Sequence, residues 1–301
     1  MRRQVRQCLA DNPIRPLDTG FVMTSHADTL NTALHDLGAW TAFFRAAEIP
    51  VLASTAEAIE ALRANEDAVD ANGIGEMISS DPLMTLKVLA HAATHRPSRV
   101  VTDTETVTAA LVMMGISPFF RNFGPQPTVE ERLAGNPQAL VGLQEVLQRA
   151  HRGASFALAF AVHRMDHDAA VIHGAALLHD FAEMLLWCHA PGLGLRIRAA
   201  QHADPALRSS AAQLDVLNIE LADLQQSLMR SWRLPELLIR ISDERHADNP
   251  SVRNVLLAVR LARHTAQGWD NAAVPDDVSD IAALLNLSST ATLQLLHDIA
   301  G

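Results

Sequence analysis

Leu177-Leu178-His179-Asp180 is the stretch that decides the fold, because it sets a polar pair inside an otherwise apolar segment. The apolar spacing around it predicts a helix over about residues 169–188, with His179 on the same face as Ile172 and Leu186. His179 is therefore expected to point into the protein. Neutral imidazole and carboxylate are good ligands for divalent transition metals, which makes the pair a candidate metal site. The alternative is a buried polar pair that only packs helices together.

Helix signals recur on both sides of this stretch, whereas strand signals do not. Ser54 to Glu57 predicts a capping box, and Asp81-Pro82 predicts a cap followed by a proline at the first helical position. Thr102 to Glu105 predicts another cap, and Gly115 lies where a helix is expected to stop. The sequence predicts an all-α protein.

The periodicity breaks between Phe123 and Pro137, which predicts a joint between two helical lobes. A long helix is expected after it, with His151 on the apolar stripe and pointing roughly inward. Residues 251–301 predict further helices. Before the first lobe, Leu30, Leu34 and Leu37 share a helical face, which predicts an accessory helix packing on that lobe; a role in dimerisation or partner choice is an equal alternative.

Composition narrows the function classes. The formal net charge of −10 argues against a general phosphate-binding surface, so no nucleic-acid partner is expected. The longest apolar run, Phe156 to Val162, falls short of the roughly 18 residues that a membrane span needs, and the N-terminus lacks the apolar region of a signal peptide. Cys8 and Cys188 stand far apart and suggest neither a disulfide framework nor a thiolate zinc site. The protein is expected to be cytoplasmic, with no membrane partner.

Three other clusters of polar or aromatic residues have both a functional and a plainer structural interpretation. His163 and His167, near Asp166, Asp168 and His173, have metal-ligand spacing, but a solvated polar turn is the favoured interpretation. His35-Asp36 repeats the polar dipeptide in the N-terminal segment and is not expected to be functional. Phe119, Phe120 and Phe123, with Arg121, form an aromatic cluster. This aromatic cluster could face a partner, but it is expected to belong to the core.

Five motifs in the same order resemble the HDOD domain family, the signalling branch related to HD-domain metal-dependent phosphohydrolases. The match covers about residues 46–250. Its motifs are Ile49-Pro50-Val51-Leu52, Ile78 through Thr85 with its Asp-Pro step, Ala109 through Ile116, Ala176 through Phe181, and Trp232-Arg233-Leu234-Pro235.

The resemblance implies a two-lobed helical fold with an HD-like helical bundle in the second lobe. It places an N-terminal helical extension at residues 1–45, the HDOD-like domain at 46–250, and C-terminal helices packing on the domain at 251–301. The lobes are expected at about 46–125 and 138–250.

Carried over residue by residue, the resemblance also implies a degenerate metal site. His151 matches the first histidine of the HD pattern, His179 and Asp180 match the central pair, and His246 is a further candidate beside Arg245. The departures are Leu221 in place of histidine, Val259 in place of the late aspartate, and Phe181-Ala182 in place of Ile-Gly. Without that carboxylate, little balances the charge of a divalent ion, so no bound metal, cofactor or catalytic residue is expected.

Two functions follow from different classes. The favoured one is a non-catalytic bacterial signal-transduction module that binds a separate signalling protein, from a two-component or cyclic-dinucleotide pathway. The alternative is a metal-dependent phosphohydrolase with an altered ligand set, in which His151, His179, Asp180 and His246 hold a divalent ion. The sequence gives neither the partner nor the oligomeric state.

Overall fold

The computed structural model describes residues 29–95 and 104–301, which are mainly α-helical. The described residues form no β-strand beyond one isolated parallel bridge, between Val51 and Thr128. The predicted all-α class is confirmed. The short 3-10 helices are Glu66–Ala68 and Glu244–His246. The α-helices are α1 (Leu37–Ala46), α2 (Ala53–Arg63), α3 (Ala71–Ile78), α4 (Pro82–Thr94), α5 (Val107–Met114), α6 (Ile116–Asn122), α7 (Val129–Arg132), α8 (Pro137–His163), α9 (Ala169–Leu177), α10 (Phe181–His189), α11 (Pro191–Ala203), α12 (Ser209–Leu217), α13 (Leu221–Ser231), α14 (Glu236–Ile241), α15 (Pro250–His264), α16 (Val274–Leu285) and α17 (Ser289–Ala300).

Two of the predicted helix ends are confirmed. The Asp81 carboxylate accepts hydrogen bonds from the backbone N–H groups of Leu83 and Met84 at the start of α4. Gly115 ends α5 with a φ of 83°, a conformation that glycine adopts without steric cost. Both helix ends are set by residues adjacent in sequence, so they can be predicted without knowledge of tertiary contacts.

The predicted capping box at Ser54 is wrong. Helix α2 starts at Ala53 after Leu52, whose side chain makes no capping hydrogen bond. The orphan N–H groups instead find distant carboxylates: Leu52 N donates to Asp81 at 2.8 Å and Ala53 N donates to Glu130 at 2.9 Å. Thr102 lies outside the described residues, and the cap of α5 is Thr106, which accepts from Ala109 N.

We call α2–α7 the first lobe and α8–α17 the second lobe. Buried apolar side chains from both lobes form one continuous core cluster. The lobes also meet through polar contacts, because Arg132 of α7 donates from Nε to the Cys188 carbonyl of α10 at 2.6 Å and from Nη2 to His189 Nδ1 at 2.8 Å. His189 in turn donates from Nε2 to the Glu48 carbonyl at 3.0 Å.

The N-terminal segment packs on the second lobe, so the expectation that it lies on the first lobe is wrong. Leu30 and Leu34 are not helical, and α1 begins at Leu37. The buried Trp40 donates from its indole N–H to the Leu217 carbonyl at 2.9 Å, and Thr41 bonds to Ser227 at 2.8 Å. The physical reason is the aromatic face of α1, which matches an apolar surface beside α13.

Helix α8 runs through the second lobe, as the predicted long helix, with α15 packed closely along it. The approach is close because Gly153 has no side chain: a Cβ there would lie 3.4 Å from Val259 of α15. Helix α15 therefore contributes to the centre of the second lobe, and α16 packs on it.

One described stretch, Ala169–His189, is long and apolar enough by composition alone to cross a membrane, and 61% of its most apolar window is buried inside the fold. A core helix has the same properties, so this stretch is weak evidence for a membrane span.

Candidate functional site

The His179-Asp180 pair lies at a break between two helices. Helix α9 ends at Leu177 and α10 begins at Phe181, so the prediction of one uninterrupted helix here is wrong. At the break the backbone bonds close three residues back, from His179 N to the Ala176 carbonyl and from Phe181 N to the Leu178 carbonyl, and Asp180 has a non-helical φ of −110° and ψ of 23°. The inward orientation is confirmed, since the side chains of His179 and Asp180 are only 11% and 12% exposed.

An arginine bridges the acidic side of this turn. Arg149 of α8 donates from Nε to Asp180 Oδ2 and from Nη2 to Glu183 Oε2, each at 2.8 Å. Arg263 of α15 lies 3.8 Å from Asp180 Oδ1. Charge-assisted hydrogen bonds of this kind are among the stronger ones in proteins. Asp180 is therefore neutralised by guanidinium groups.

Both ring nitrogens of His179 face carboxylates. Nδ1 lies 3.0 Å from Asp180 Oδ1, and Nε2 lies 3.1 Å from Glu244 Oε1. Burial by itself would lower the pKa of His179, but the hydrogen bonds and charges of the two carboxylates outweigh it and raise the pKa to about 9. In this arrangement the ring is an imidazolium at neutral pH and donates from both nitrogens to carboxylates.

The two carboxylates on Arg149 are shifted in opposite directions. Burial would raise the pKa of Asp180, yet the charge of Arg149 and the hydrogen bond from His179 hold it well below its usual range. For Glu183, burial is the largest effect and raises the pKa, with the Asp180 charge adding to the rise and Arg149 opposing it. Asp180 therefore carries the negative charge that holds the cluster together.

The structure does not bring His151 into this cluster. Its Nδ1 lies 2.7 Å from the Leu147 carbonyl of the same helix, and its Nε2 lies 2.7 Å from the Ser80 carbonyl of the first lobe. The ring thus joins α8 to the segment that precedes α4.

His246 is also apart from the pair. It lies in the 3-10 helix Glu244–His246, its side chain is 60% exposed, and its nearest charged partner is Asp243 at 3.9 Å. Of the four candidates, only His179 and Asp180 contact each other. The residues that depart from the family pattern are all apolar and buried: Val259 in α15, Leu221 at the start of α13, and Phe181-Ala182 at the start of α10.

These donors do not suit a divalent metal ion. Within residues 29–95 and 104–301, no group of three or more His, Cys, Asp or Glu side chains is arranged to hold one. Both His179 nitrogens and both Asp180 oxygens are already engaged, and Arg149 adds a fixed positive charge beside them. A cation entering here would be repelled by that charge and would have to displace these partners.

The other clusters match their plainer interpretations. His163, the last residue of α8, and His167, in the turn after it, are exposed, and the nearby Asp166 pairs with Arg164 at 3.4 Å. Asp36 caps α1 by accepting from Ala39 N, with exposed His35 beside it. The aromatic cluster belongs to the core; its buried members are Phe119, Phe120 and Phe123.

Sequence reasoning missed the charged partners of the pair, Arg149, Glu183 and Glu244. Arg149 precedes His151 by two residues on a different helical face, so the apolar stripe gave no hint of it. Glu183 follows Asp180 by one helical turn, and this spacing was the one usable signal. Glu244 is 65 residues from His179, and no local pattern links them.

The charged cluster forms one wall of a cavity of about 560 Å³ in the second lobe. The other walls come from α10–α13 and from the segment Ser242–Arg245. Trp187 packs between two glycines at this wall: a Cβ on Gly142 would lie 2.6 Å from its ring, and one on Gly194 would lie 3.0 Å away. The volume falls in the range of small-molecule sites.

Comparison with known proteins agrees with this architecture. No curated protein matches the chain. Among solved structures, the fold is similar to the MmoQ response regulator of Methylococcus capsulatus, with a TM-score of 0.61 and 17% identity over 83% of this chain and 98% of that one. It is also similar to a virulence factor, cj0248, of Campylobacter jejuni, with a TM-score of 0.57 and 18% identity over 88% of this chain and 98% of that one.

The family comparison covers most of both lobes. The model of the HDOD domain matches residues 49–248, close to the span that the motifs predicted. The match includes the His179-Asp180 turn and Glu244, and it ends before α15. Since it spans more than half of the sequence, the chain belongs to the HDOD domain family.

Proposed function

We propose that this protein is a non-catalytic signal-transduction module of a bacterial cytoplasm, and that it acts by binding a separate signalling protein. The observation that carries the proposal is the Arg149 bridge between Asp180 and Glu183. In an HD-type hydrolase the His-Asp pair must coordinate a metal ion that activates water. Here the same pair is engaged by the Arg149 guanidinium and the Glu244 carboxylate, so it stabilises the packing of α8, α10 and α15.

The module is also expected to dock a partner through apolar surface. Large apolar side chains are exposed on α5, where Val112 is 68% exposed, near the end of α8, where Val162 is 62% exposed, and in the turn that follows, where Met165 is 84% exposed. The likeness to a response regulator supports a two-component pathway as the source of the partner. A cyclic-dinucleotide pathway is the other source that the family resemblance implies.

Elemental analysis of the purified protein, with His179→Ala as control, tests the non-catalytic role. We expect no stoichiometric manganese, iron, nickel or zinc in either protein, and no hydrolysis of a phosphoester such as bis(p-nitrophenyl) phosphate with any of these ions added. About one ion per chain that is lost in His179→Ala, together with hydrolysis by the wild type alone, would overturn the proposal in favour of the phosphohydrolase.

Site-specific photo-crosslinking in cells tests the docking role. A photoreactive residue at Val162 or Met165 should give a discrete adduct with one signalling protein. The same residue at Glu57, an exposed position of the first lobe, is the matched control and should not give that adduct. Identical adduct patterns at all three positions would contradict docking through this surface.

A further inference from the structure

Two histidines lie one turn apart at the C-terminal end of α4, away from the site described above. The rings of His91 and His95 are stacked, with their centroids 4.1 Å apart and an angle of 23° between their planes. Side chains four residues apart share one face of a helix, and two histidines at this spacing are a recurrent pair of metal ligands. The pair is therefore placed to contact one ion at the surface of the first lobe.

Hydrogen bonds set the tautomer of both rings. His95 Nδ1 lies 2.9 Å from the His91 carbonyl oxygen, which only accepts, so this nitrogen carries the proton and Nε2 carries the lone pair. His91 Nε2 lies 3.3 Å from the side-chain nitrogen of Asn122, which donates, so here too Nε2 carries the lone pair. Burial, and then the charge of His95, lower the pKa of His91, which keeps its ring neutral at pH 7. The pair thus offers two neutral Nε2 donors.

A thioether lies beside the pair. The Asn122 side-chain nitrogen lies 3.9 Å from Met114 Sδ as well as 3.3 Å from His91 Nε2. One positively polarised NH₂ group therefore sits between a nitrogen lone pair and a sulfur lone pair, as a cation between two ligands would. Asn122 is exposed, so rotation of its side chain into solvent opens this position. The donor set is two imidazoles and a thioether, which differs from the groupings of His, Cys, Asp and Glu considered above.

The chemistry of these donors favours a soft, singly charged ion. Thioether sulfur and imidazole nitrogen suit Cu(I), whereas carboxylate and carbonyl oxygens suit harder divalent ions. The contacts of the three side chains in the described part of the chain include no carboxylate, and the ring of Phe123 packs edge-on against His91 with centroids 5.1 Å apart. We propose that His91, His95 and Met114 form a Cu(I) site on the first lobe. This site goes beyond the proposed function and needs no metal at His179.

Competition between the full chain and bicinchoninate for Cu(I), under anaerobic and reducing conditions, tests the proposal. All proteins carry Cys8→Ser, because a free thiol also binds Cu(I). We expect the Cys8→Ser protein to take one Cu(I) per chain from the chelator, and the added His91→Ala/His95→Ala changes to abolish this uptake. The matched control, His163→Ala/His167→Ala, removes another exposed pair at the same sequence spacing and should leave the uptake unchanged.

A conservative variant keeps the test decisive if the His91→Ala/His95→Ala protein unfolds. Met114→Leu keeps an apolar side chain of similar volume, so the thermal midpoint should hold. Its Cu(I) affinity should fall by about tenfold or more. X-ray absorption at the copper edge should show Cu–S scattering that is lost in Met114→Leu.

Three outcomes would each overturn the proposal. They are no uptake of Cu(I) from bicinchoninate, equal uptake by the two double-histidine variants, and Cu–S scattering that is unchanged in Met114→Leu. His179→Ala should bind Cu(I) as the Cys8→Ser protein does. The test of the proposed function measures other ions and depends on His179, so failure of one proposal is distinguishable from failure of the other.

Discussion

Arg149 Nε lies 2.8 Å from Asp180 Oδ2, across 31 residues of sequence and between two helices. The contact places a permanent positive charge on the carboxylate that an HD-type site would offer to a metal ion. A guanidinium cannot polarise water as a metal ion does, but it can hold two carboxylates in a fixed geometry. In this structure the Arg149 guanidinium holds Asp180 and Glu183 together.

Removing Arg149 should destabilise the protein strongly. Arg149→Ala leaves Asp180 and Glu183 without their shared cation in a mostly buried setting, and we expect the free energy of unfolding to fall by about 3–5 kcal/mol. Arg198→Ala is the control, because the Arg198–Glu145 pair is about half exposed and should contribute about 1 kcal/mol or less. Urea denaturation measures both. Equal losses in the two variants would contradict a structural role for Arg149.

The free energy of unfolding should fall at alkaline pH, because His179 loses its proton there. The pKa rises from 6.5 to about 9 on folding, so the folded state binds the extra proton between these values. The contribution is complete below pH 6.5 and is lost as pH rises through 9, by at most about 3.5 kcal/mol at about 1.4 kcal/mol per pH unit. Urea denaturation from pH 6 to 10 should show this loss in the wild type and not in His179→Gln.

The free energy of unfolding should also fall at acid pH, because the buried His189 resists protonation in the folded state. Burial, with the charge of Arg132, lowers its pKa from 6.5 to about 4, so the unfolded state binds the extra proton between these values. The contribution is complete above pH 6.5 and is lost as pH falls toward 4. The slope of unfolding free energy between pH 6.5 and 4 should be shallower in His189→Gln. An unchanged slope would show that other groups cause the acid loss.

The glycine beside Trp187 should not tolerate a methyl group. In Gly142→Ala the new Cβ would lie 2.6 Å from the indole ring, and we expect a loss of about 1–3 kcal/mol from overpacking. The control is Gly174→Ala, in α9, where no atom lies within 4 Å of the added Cβ. That change should stabilise the helix by up to about 1 kcal/mol. Thermal unfolding should move the two variants in opposite directions.

Loss of the His151 side chain should weaken the contact between the two lobes. His151→Ala removes the ring that donates to the Ser80 carbonyl, at a cost of about 1 kcal/mol. Hydrogen exchange should accelerate locally at the start of α4, at Asp81 and Thr85. The exposed His163 is the control, and His163→Ala should leave those rates unchanged. Acceleration spread evenly through the second lobe would indicate general destabilisation instead.

The sequence was sufficient for features that rest on local chemistry. Helix caps at Asp81 and the stop at Gly115 depend on neighbouring residues, and apolar spacing along α8 needs no knowledge of tertiary contacts. The five motifs, taken in order along the chain, also predicted the family and the span of the domain. The inward position of His179 also followed from spacing.

Features that rest on distant partners could not be predicted. Apolar periodicity continues through Leu178, so nothing local marked the break before Phe181. The N-terminus of α2 uses Asp81 and Glu130, and the ring of His179 uses Glu244, all of which are far away in sequence. Of the predicted candidates, the structure places His179 and Asp180 in contact, whereas their charged partners Arg149 and Glu244 became visible only in three dimensions.

The indole of Trp40 packs against the second lobe and donates to the Leu217 carbonyl, yet Trp40 precedes the first residue matched by the family. A protein shortened to begin at Ile49 would therefore lose the side chains that cover α13 and contact His189. The apolar surface beside α13 would then be exposed to solvent, and we expect the shortened protein to aggregate. We therefore expect the boundary of the family match and the boundary needed for independent folding to be different positions in the chain.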